Sequence, residues 1–216
     1  MGNRAVITTR ENFENNGVGV YLHWNGGRDS VEPFLEYCKI RGYRAPETDC
    51  YGWARLCQVI GNFFGGNTSI GIDTLDHLDC DNGDNGVYII ENWEIVGREY
   101  FGFVYDDGKE VVRAEQNYYD RVEMLQAIDE AQPQPIGKEF FEAEEVPTKD
   151  LKLGDTVYVQ NWDGEYKKLT VKGFGDDRYC NGYNINGKPF VDACENGMLD
   201  NCNNYILKDT AIRVKA

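Results

Sequence analysis

The segment Gln132-Pro-Gln-Pro135 constrains the fold of this 216-residue chain more than any other short stretch. Proline fixes φ and lacks a backbone N–H, so two prolines this close together interrupt both helices and central strands. Such segments are typical of linkers. The charge also changes nearby, since residues 73–145 carry 20 acidic and 5 basic side chains, whereas residues 146–216 carry ten of each. We therefore predict two domains, residues 1–135 and residues 146–216.

The first predicted domain combines strands with amphipathic helices. Val31, Phe34, Leu35 and Cys38 lie at i, i+3, i+4 and i+7, which predicts a helix that Asp29 or Ser30 caps. Similar patterns predict helices from residue 48 or 49 to 64 and from 120 to 131. Runs of β-branched and aromatic residues predict strands at 4–9, 18–23, 69–74, 87–90, 93–96, 100–105 and 110–113. We expect an α+β fold, a mainly antiparallel sheet with two or three packed helices.

The second predicted domain consists of short strands. Residues 151–159 read as an opening strand, and further strands are expected at 168–172, 184–185, 188–192 and 211–215. Glycine and asparagine turns separate them. Five short strands within about 70 residues are typical of a small β-barrel, and the opening resembles that of SH3-like barrels.

The charge distribution bears on possible partners. The net charge is -15, and residues 1–72 carry seven acidic and seven basic side chains, so the whole excess lies in residues 73–145. A chain with this charge repels a phosphate backbone, and we expect no direct nucleic-acid binding. The acidic third is either a solvated surface that maintains solubility or a surface that faces a basic host protein. The candidate partner-binding residues are Glu91, Glu94, Asp106, Asp107 and Glu110.

A glycine-rich loop precedes the first predicted helix. A loop of this kind presents free N–H groups to an anion at the helix start. The candidate anion-binding residues are His23, Asn25, Gly26, Gly27, Arg28, Asp29 and Ser30. The loop resembles the SGGxDS loop of PP-loop ATP pyrophosphatases, with Asn25 in place of the first serine, and the resemblance implies nucleotide phosphate binding. That fold has a parallel strand soon after the helix, whereas this chain continues into a second helix. The alternative is a tight turn that packs strand against helix, and we expect no ATP turnover.

A longer resemblance begins at Val20. The run Val20-Tyr-Leu-His-Trp-Asn-Gly26, followed by an amphipathic helix, resembles proteins of phages and integrated mobile elements that carry a V-Y-x-H-W-[DN]-G motif. Residues 50–61 resemble the same proteins, and the similarity covers roughly residues 5–100. It implies a source class and supplies no catalytic roles.

Neither cofactor nor metal is expected. The seven cysteines include no C-x-x-C pair and there are only two histidines, which favours reduced thiols in a cytoplasm over a zinc site or a disulfide framework. The string of residues 79–86 fails the calcium-loop pattern and reads better as a hairpin turn. His23 could act as a general base or fix the loop, and no serine or cysteine nucleophile pairs with it by sequence. No catalytic residue is assigned.

Three functions remain open. The first is a non-enzymatic modulator of a host protein, for example an anti-defence inhibitor or a nucleic-acid mimic. The second is a nucleotide- or anion-binding enzyme that uses the loop at residues 25–30. The third is a phage structural or assembly protein. No apolar run of 18 residues is present, so we expect no membrane partner and a location in the host cytoplasm.

Overall fold

The computed structural model describes residues 2–67, 69–106, 119–160, 166–174, 179–180, 183–184, 189–192 and 210–215. The chain divides into two compact units, Met1–Pro135 and Ile136–Ala216, and each is described by itself. The strand predicted at 110–113 lies outside the described residues, as do parts of those predicted at 184–185 and 188–192.

The first unit contains a six-stranded, mainly antiparallel sheet. Its strands are β1 (Ala5–Thr9), β2 (Val18–Leu22), β3 (Ile70–Thr74), β4 (Val87–Glu91), β5 (Glu94–Tyr100) and β6 (Phe103–Asp106). They lie in the order β3-β2-β1-β4-β5-β6. Only the central pair β1–β4 is parallel, with Ile7 opposite Tyr88. The prediction of an α+β fold with a mainly antiparallel sheet is confirmed.

The described residues of this unit include four α-helices. They are α1 (Arg10–Glu14), α2 (Arg28–Ile40), α3 (Cys50–Phe63) and α4 (Arg121–Glu130). The prediction that Thr48 or Asp49 caps α3 is confirmed for Asp49, whose carboxylate accepts a hydrogen bond from a backbone N–H group of the first turn. Asp120 caps α4 in the same way. Helix α1 has no counterpart in the sequence prediction.

The two sheet faces are covered differently. Ile7, Val20 and Tyr88 share one face by register and are buried. Helix α3 lies on this face, because a Cβ atom on its Gly61 would be 3.8 Å from the Ile70 side chain of the edge strand β3. The opposite face is covered over Gly19, where a Cβ atom would lie 2.9 Å from Leu75 and 3.0 Å from Leu78. Tyr21, which lies opposite Val6 in the β1–β2 pairing, is on this opposite face.

One strand prediction is wrong in its extent. Residues 100–105 were expected to form one strand, whereas β5 ends at Tyr100 and a turn at Phe101-Gly102 leads into β6. Both turn residues have positive φ, 50° for Phe101 and 78° for Gly102. Phenylalanine rarely adopts this conformation, so the sequence carries no strong turn signal at this point.

The second unit is built on a five-stranded antiparallel sheet. Its elements are α5 (Lys138–Glu142), β7 (Glu144–Pro147), β8 (Thr156–Gln160), β9 (Tyr166–Phe174), β10 (Tyr179–Cys180), β11 (Tyr183–Asn184), β12 (Pro189–Asp192) and β13 (Thr210–Arg213). The sheet order is β12-β9-β8-β13-β7, and β10 and β11 form a separate pair. Val146, Leu151, Val157, Val171 and Ala211 form its buried core. Among the described residues the sheet does not close, and the SH3-like barrel stays a prediction.

Candidate functional site

The glycine loop is fixed by close packing against the segment before β1. Asn25 adopts positive φ, 53°, at the exit of β2. A Cβ atom on Gly26 would lie 2.6 Å from Asn3 O and 2.7 Å from Ala5 N, so only glycine fits there. The Gly26 N–H donates to Asn3 O at 2.7 Å. This amide is therefore used by the fold and does not point toward a ligand.

Helix α2 begins without the predicted side-chain cap. Its N-cap is Gly27, which makes no side-chain cap hydrogen bond, so the expectation that Asp29 or Ser30 caps the helix is wrong. The Ser30 hydroxyl instead accepts from Asn25 Nδ2 at 3.2 Å, and Asp29 Oδ2 accepts from the Tyr119 N–H at 3.1 Å. Asp29 has a partner 90 residues away in sequence, and this interaction replaces the local cap.

The electrostatics of the loop do not favour an anion. Arg28 donates to Glu32 at 2.6 Å, so a carboxylate of the same helix already offsets the positive charge of Arg28. Asp29 places a second negative charge in the first turn, where a helix would otherwise attract an anion. The tight-turn interpretation accounts for these contacts, and anion binding by the loop stays a prediction.

Three neighbouring aromatic side chains form what we call the aromatic platform: Tyr21, His23 and Trp24. The His23 ring meets the Trp24 ring edge-on, with centroids 5.0 Å apart, and the centroid of the Tyr21 ring lies 6.4 Å from that of His23. The Tyr21 hydroxyl lies 3.4 Å from His23 Nδ1. Trp24 is 44% exposed and His23 is also exposed. His23 therefore belongs to an open aromatic surface, in addition to fixing the backbone through its N–H bond to Ser69 O.

Carboxylates border this platform. We call residues 73–84 the aspartate segment; it holds Asp73, Asp76, Asp79, Asp81 and Asp84. The guanidinium of Arg4 forms ion pairs with Asp84 at 2.7 Å and with Asp79 at 3.3 Å. Arg4 follows Asn3, whose backbone N–H donates to His23 O at 3.2 Å, so the carboxylates that Arg4 binds lie near the platform. Burial raises the pKa of Tyr21, and the charge of Asp79 acts in the same direction.

Two other aspartates of the segment are held in the ionised form. The backbone N–H of Thr74 lowers the pKa of Asp73, with His77 adding to the shift. The Thr74 hydroxyl lowers the pKa of Asp76, and Asn16 adds to it. Hydrogen bonds to the charged form stabilise it, so both groups contribute a persistent negative charge near neutral pH.

The predicted partner-binding acids are only partly brought together. Glu91 and Glu94 face each other across the β4–β5 turn, and Asp106 lies opposite Gly97 on β6. Glu91 pairs with Arg10 at 2.8 Å and Glu94 with Lys39 at 2.5 Å, so nearby cations offset both. Asp107 and Glu110 lie outside the described residues. The role of this set in binding stays a prediction.

A groove along α2 is lined by residues from both the anion-binding and the partner-binding candidates. It has a volume of about 960 Å³, and its lining includes Arg28, Asp29 and Glu94. Ion pairs span its wall, among them Arg121 with Glu36 and Lys39 with Glu94. The groove therefore presents mixed, largely compensated charge, in contrast to the aspartate segment.

Sequence reasoning identified the histidine and missed its setting. The sequence indicates part of the platform, because residues two apart on a strand, such as Tyr21 and His23, lie on the same face. The acidic character of the aspartate segment is visible in the sequence, but its position beside the platform depends on the fold.

Among the described residues, no group of three or more His, Cys, Asp and Glu side chains could hold a metal ion. In the same parts of the chain, no helix has the length and apolar character needed to cross a membrane.

Comparison with models of protein families, with curated proteins and with solved structures gives no match to this chain.

Proposed function

We propose that this chain is a phage- or mobile-element-encoded, non-enzymatic protein that binds a host protein in the host cytoplasm through an acidic surface. One observation carries the proposal: the aspartate segment holds five carboxylates within 12 residues, beside the aromatic platform where His23 and Trp24 are exposed. Such a cluster attracts a basic partner surface and speeds association at low salt. A partner whose basic groove holds nucleic acid would be inhibited by occupation of that groove.

The exposure of the aspartate segment favours a role in attracting a basic partner over a role in stabilising the fold. The Asp73 and Asp79 side chains are 53% and 49% exposed, so they project a field into solvent. Exposed ion pairs add little stability, and these acids are therefore not needed to hold the fold. The proposal retains the SH3-like barrel for residues 146–216, supported by the antiparallel arrangement of short strands β12-β9-β8-β13-β7.

The proposal is tested by capture of host proteins on the immobilised chain at about 50 mM and 500 mM salt, which changes the screening length several-fold. A charge-neutral variant has Asp73, Asp76, Asp79 and Asp81 changed to Asn. The expected result is a specific partner whose capture is lost at high salt and in this variant.

A matched control removes the same charge elsewhere. Its four exposed acids, Glu14, Glu130, Glu145 and Asp150, are changed to the corresponding amides. This control should capture the partner as the wild type does. If the two variants lose the partner equally, net charge alone explains capture; if neither loses it, the acidic surface only maintains solubility and the proposal is wrong.

A further inference from the structure

We infer that the aromatic platform, with Asp79 at its border, binds an arginine side chain of the basic partner. This inference rests on the proposed function and deepens it, because it assigns the contact to a defined place and to one chemical group. A diffuse acidic surface attracts any cation. An aromatic surface beside a carboxylate selects a planar guanidinium, which stacks on rings and donates paired hydrogen bonds.

The same surface already holds one guanidinium. Arg4 donates to Asp84 at 2.7 Å and to Asp79 at 3.3 Å, and its charge acts on Tyr21. Asp79 takes the longer of the two bonds and its side chain remains 49% exposed. A carboxylate has about four acceptor positions, so Asp79 has room for a second guanidinium from solvent.

The platform is open because its neighbour on the edge strand is a glycine. Gly71 lies opposite Tyr21 in the β2–β3 pairing. A Cβ atom on Gly71 would meet only Tyr21 Cβ, at 3.9 Å, which is an ordinary contact. Its φ lies outside the left-handed region, so a larger residue fits the strand without backbone strain. A side chain at this position would lie on the face that carries the platform.

Asp81 and Asp73 extend the negative charge away from this point. Asp81 is exposed, and Asp73 lies on the same sheet face as Tyr21, two residues beyond Gly71. A partner arginine on the platform therefore has further carboxylates within reach of neighbouring basic residues. Charge complementarity thus favours a basic protein segment as the occupant.

The test uses capped octa-arginine peptide as the probe and the histidine ring signals of the whole chain as the readout. The chain has two histidines, so the NMR spectrum is simple. His23 reports on the platform, and His77, 3.3 Å from Asp73, reports on the other end of the aspartate segment. The expected result is a saturable shift of the His23 signals and weaker binding of capped octa-lysine.

Three variants decide between the platform and charge alone. Trp24→Ala should weaken peptide binding about 5-fold or more, which corresponds to one lost cation–π contact. Gly71→Val should weaken it by covering the platform while leaving the thermal midpoint unchanged or higher. Asp79→Asn should weaken it more than Glu14→Gln, which removes an equal charge from an exposed site on α1. Tyr51→Ala, at an aromatic residue that is 67% exposed on α3, should leave binding unchanged.

The outcomes separate this inference from the proposed function. If octa-arginine binds in a salt-dependent way but Trp24→Ala and Gly71→Val bind it as the wild type does, the platform is not the site and the acidic-surface proposal stands. If octa-lysine shifts the His23 signals as strongly as octa-arginine, guanidinium recognition is wrong. If neither peptide binds at low salt, both proposals fail.

Discussion

At the scale of single residues, the contact between Tyr37 and Asp129 links α2 to α4 through the core. The Tyr37 hydroxyl donates to Asp129 Oδ1 at 2.8 Å, and both residues are buried. Burial raises the pKa of Tyr37, and the Asp129 carboxyl adds to the shift. Burial also raises the pKa of the Cys38 thiol on the same helix, so that thiol stays protonated and inert.

We predict that Tyr37→Phe lowers the free energy of unfolding by about 1–3 kcal/mol at neutral pH. The substitution removes a buried donor and leaves the Asp129 carboxyl short of one partner. Urea denaturation measures the change. Tyr51→Phe, at an exposed tyrosine, is the control and should fall within about 0.5 kcal/mol of the wild type.

The same pair predicts loss of stability at alkaline pH. The pKa of Tyr37 is higher in the folded than in the unfolded chain, so its contribution is fully present below about pH 10 and is lost as the pH rises further. The decline should be smaller in Tyr37→Phe than in the wild type. Equal alkaline profiles for the two proteins would contradict the assignment.

Local interactions of single residues are the part that the sequence predicts well. Asp49 and Asp120 cap their helices because each carboxylate reaches an N–H group two residues ahead. Asp29 has the same local pattern but bonds Tyr119 instead. A partner 90 residues away leaves no trace in helical periodicity, and this is why the candidate loop was assigned the wrong contacts.

At the scale of elements, helix α3 contains two glycines in contrasting environments. A Cβ atom on Gly61 would meet only Ile70 Cδ1, at 3.8 Å, whereas one on Gly52 would lie 2.5 Å from Pro46 N. Gly61 destabilises the helix because glycine loses more backbone entropy on folding than other residues, and no close contact requires a glycine there. Gly52 permits the segment before the helix to approach its first turn.

We therefore predict opposite effects for the same substitution. Gly61→Ala should raise the free energy of unfolding by about 0.5–1 kcal/mol, because alanine is the better helix former. Gly52→Ala should lower it by about 1–3 kcal/mol through overpacking against backbone atoms. Urea denaturation of both variants tests this, and a stabilising Gly52→Ala would show that the approach is not tight.

Element type could be predicted from the sequence, but pairing could not. Alternation and helical spacing located β1 to β4 and α2 to α4, since these signals are local. The parallel β1–β4 pair joins segments about 80 residues apart, and nothing in either strand specifies that neighbour. The short α1 was missed because Thr9 ends β1 and caps the helix at once. This pairing also brings Asp84 to Arg4, so the candidate site could not be predicted from either segment alone.

At the scale of the whole molecule, the division of the chain into two compact units falls at the end of the predicted linker. Pro133, Gln134 and Pro135 are exposed, whereas Gln132 donates to Val59 O and Ile128 O. The second compact unit starts at Ile136, ten residues before the start predicted for the second domain, because α5 and β7 belong to it. The independence of the two domains stays a prediction.

We predict that brief subtilisin digestion cleaves first within residues 133–138 and leaves a folded fragment of residues 136–216 or nearly so. Exposed linker backbone is cut before packed elements. Mass spectrometry locates the cut, and a cooperative melt of the purified fragment tests its folding. A fragment that does not melt cooperatively would show that the second unit depends on the first.

The last prediction concerns which acidic region steers association. Charge reversal to lysine at Asp73, Asp79 and Asp81 changes the net charge by the same amount as reversal at Asp106, Asp107 and Glu110. If only net charge matters, the two triple variants slow association with octa-arginine equally. We expect the first variant to slow it about 10-fold or more at low ionic strength, since steering depends on local clusters, and the second to slow it less. Glu94 lies on β5, the strand next to the one that ends at Asp106, and Lys39 already offsets its charge. Stopped-flow measurement at rising salt should show the difference disappear as the screening length falls below about 10 Å. A larger effect of the second variant would move the docking surface to the β5–β6 side of the sheet.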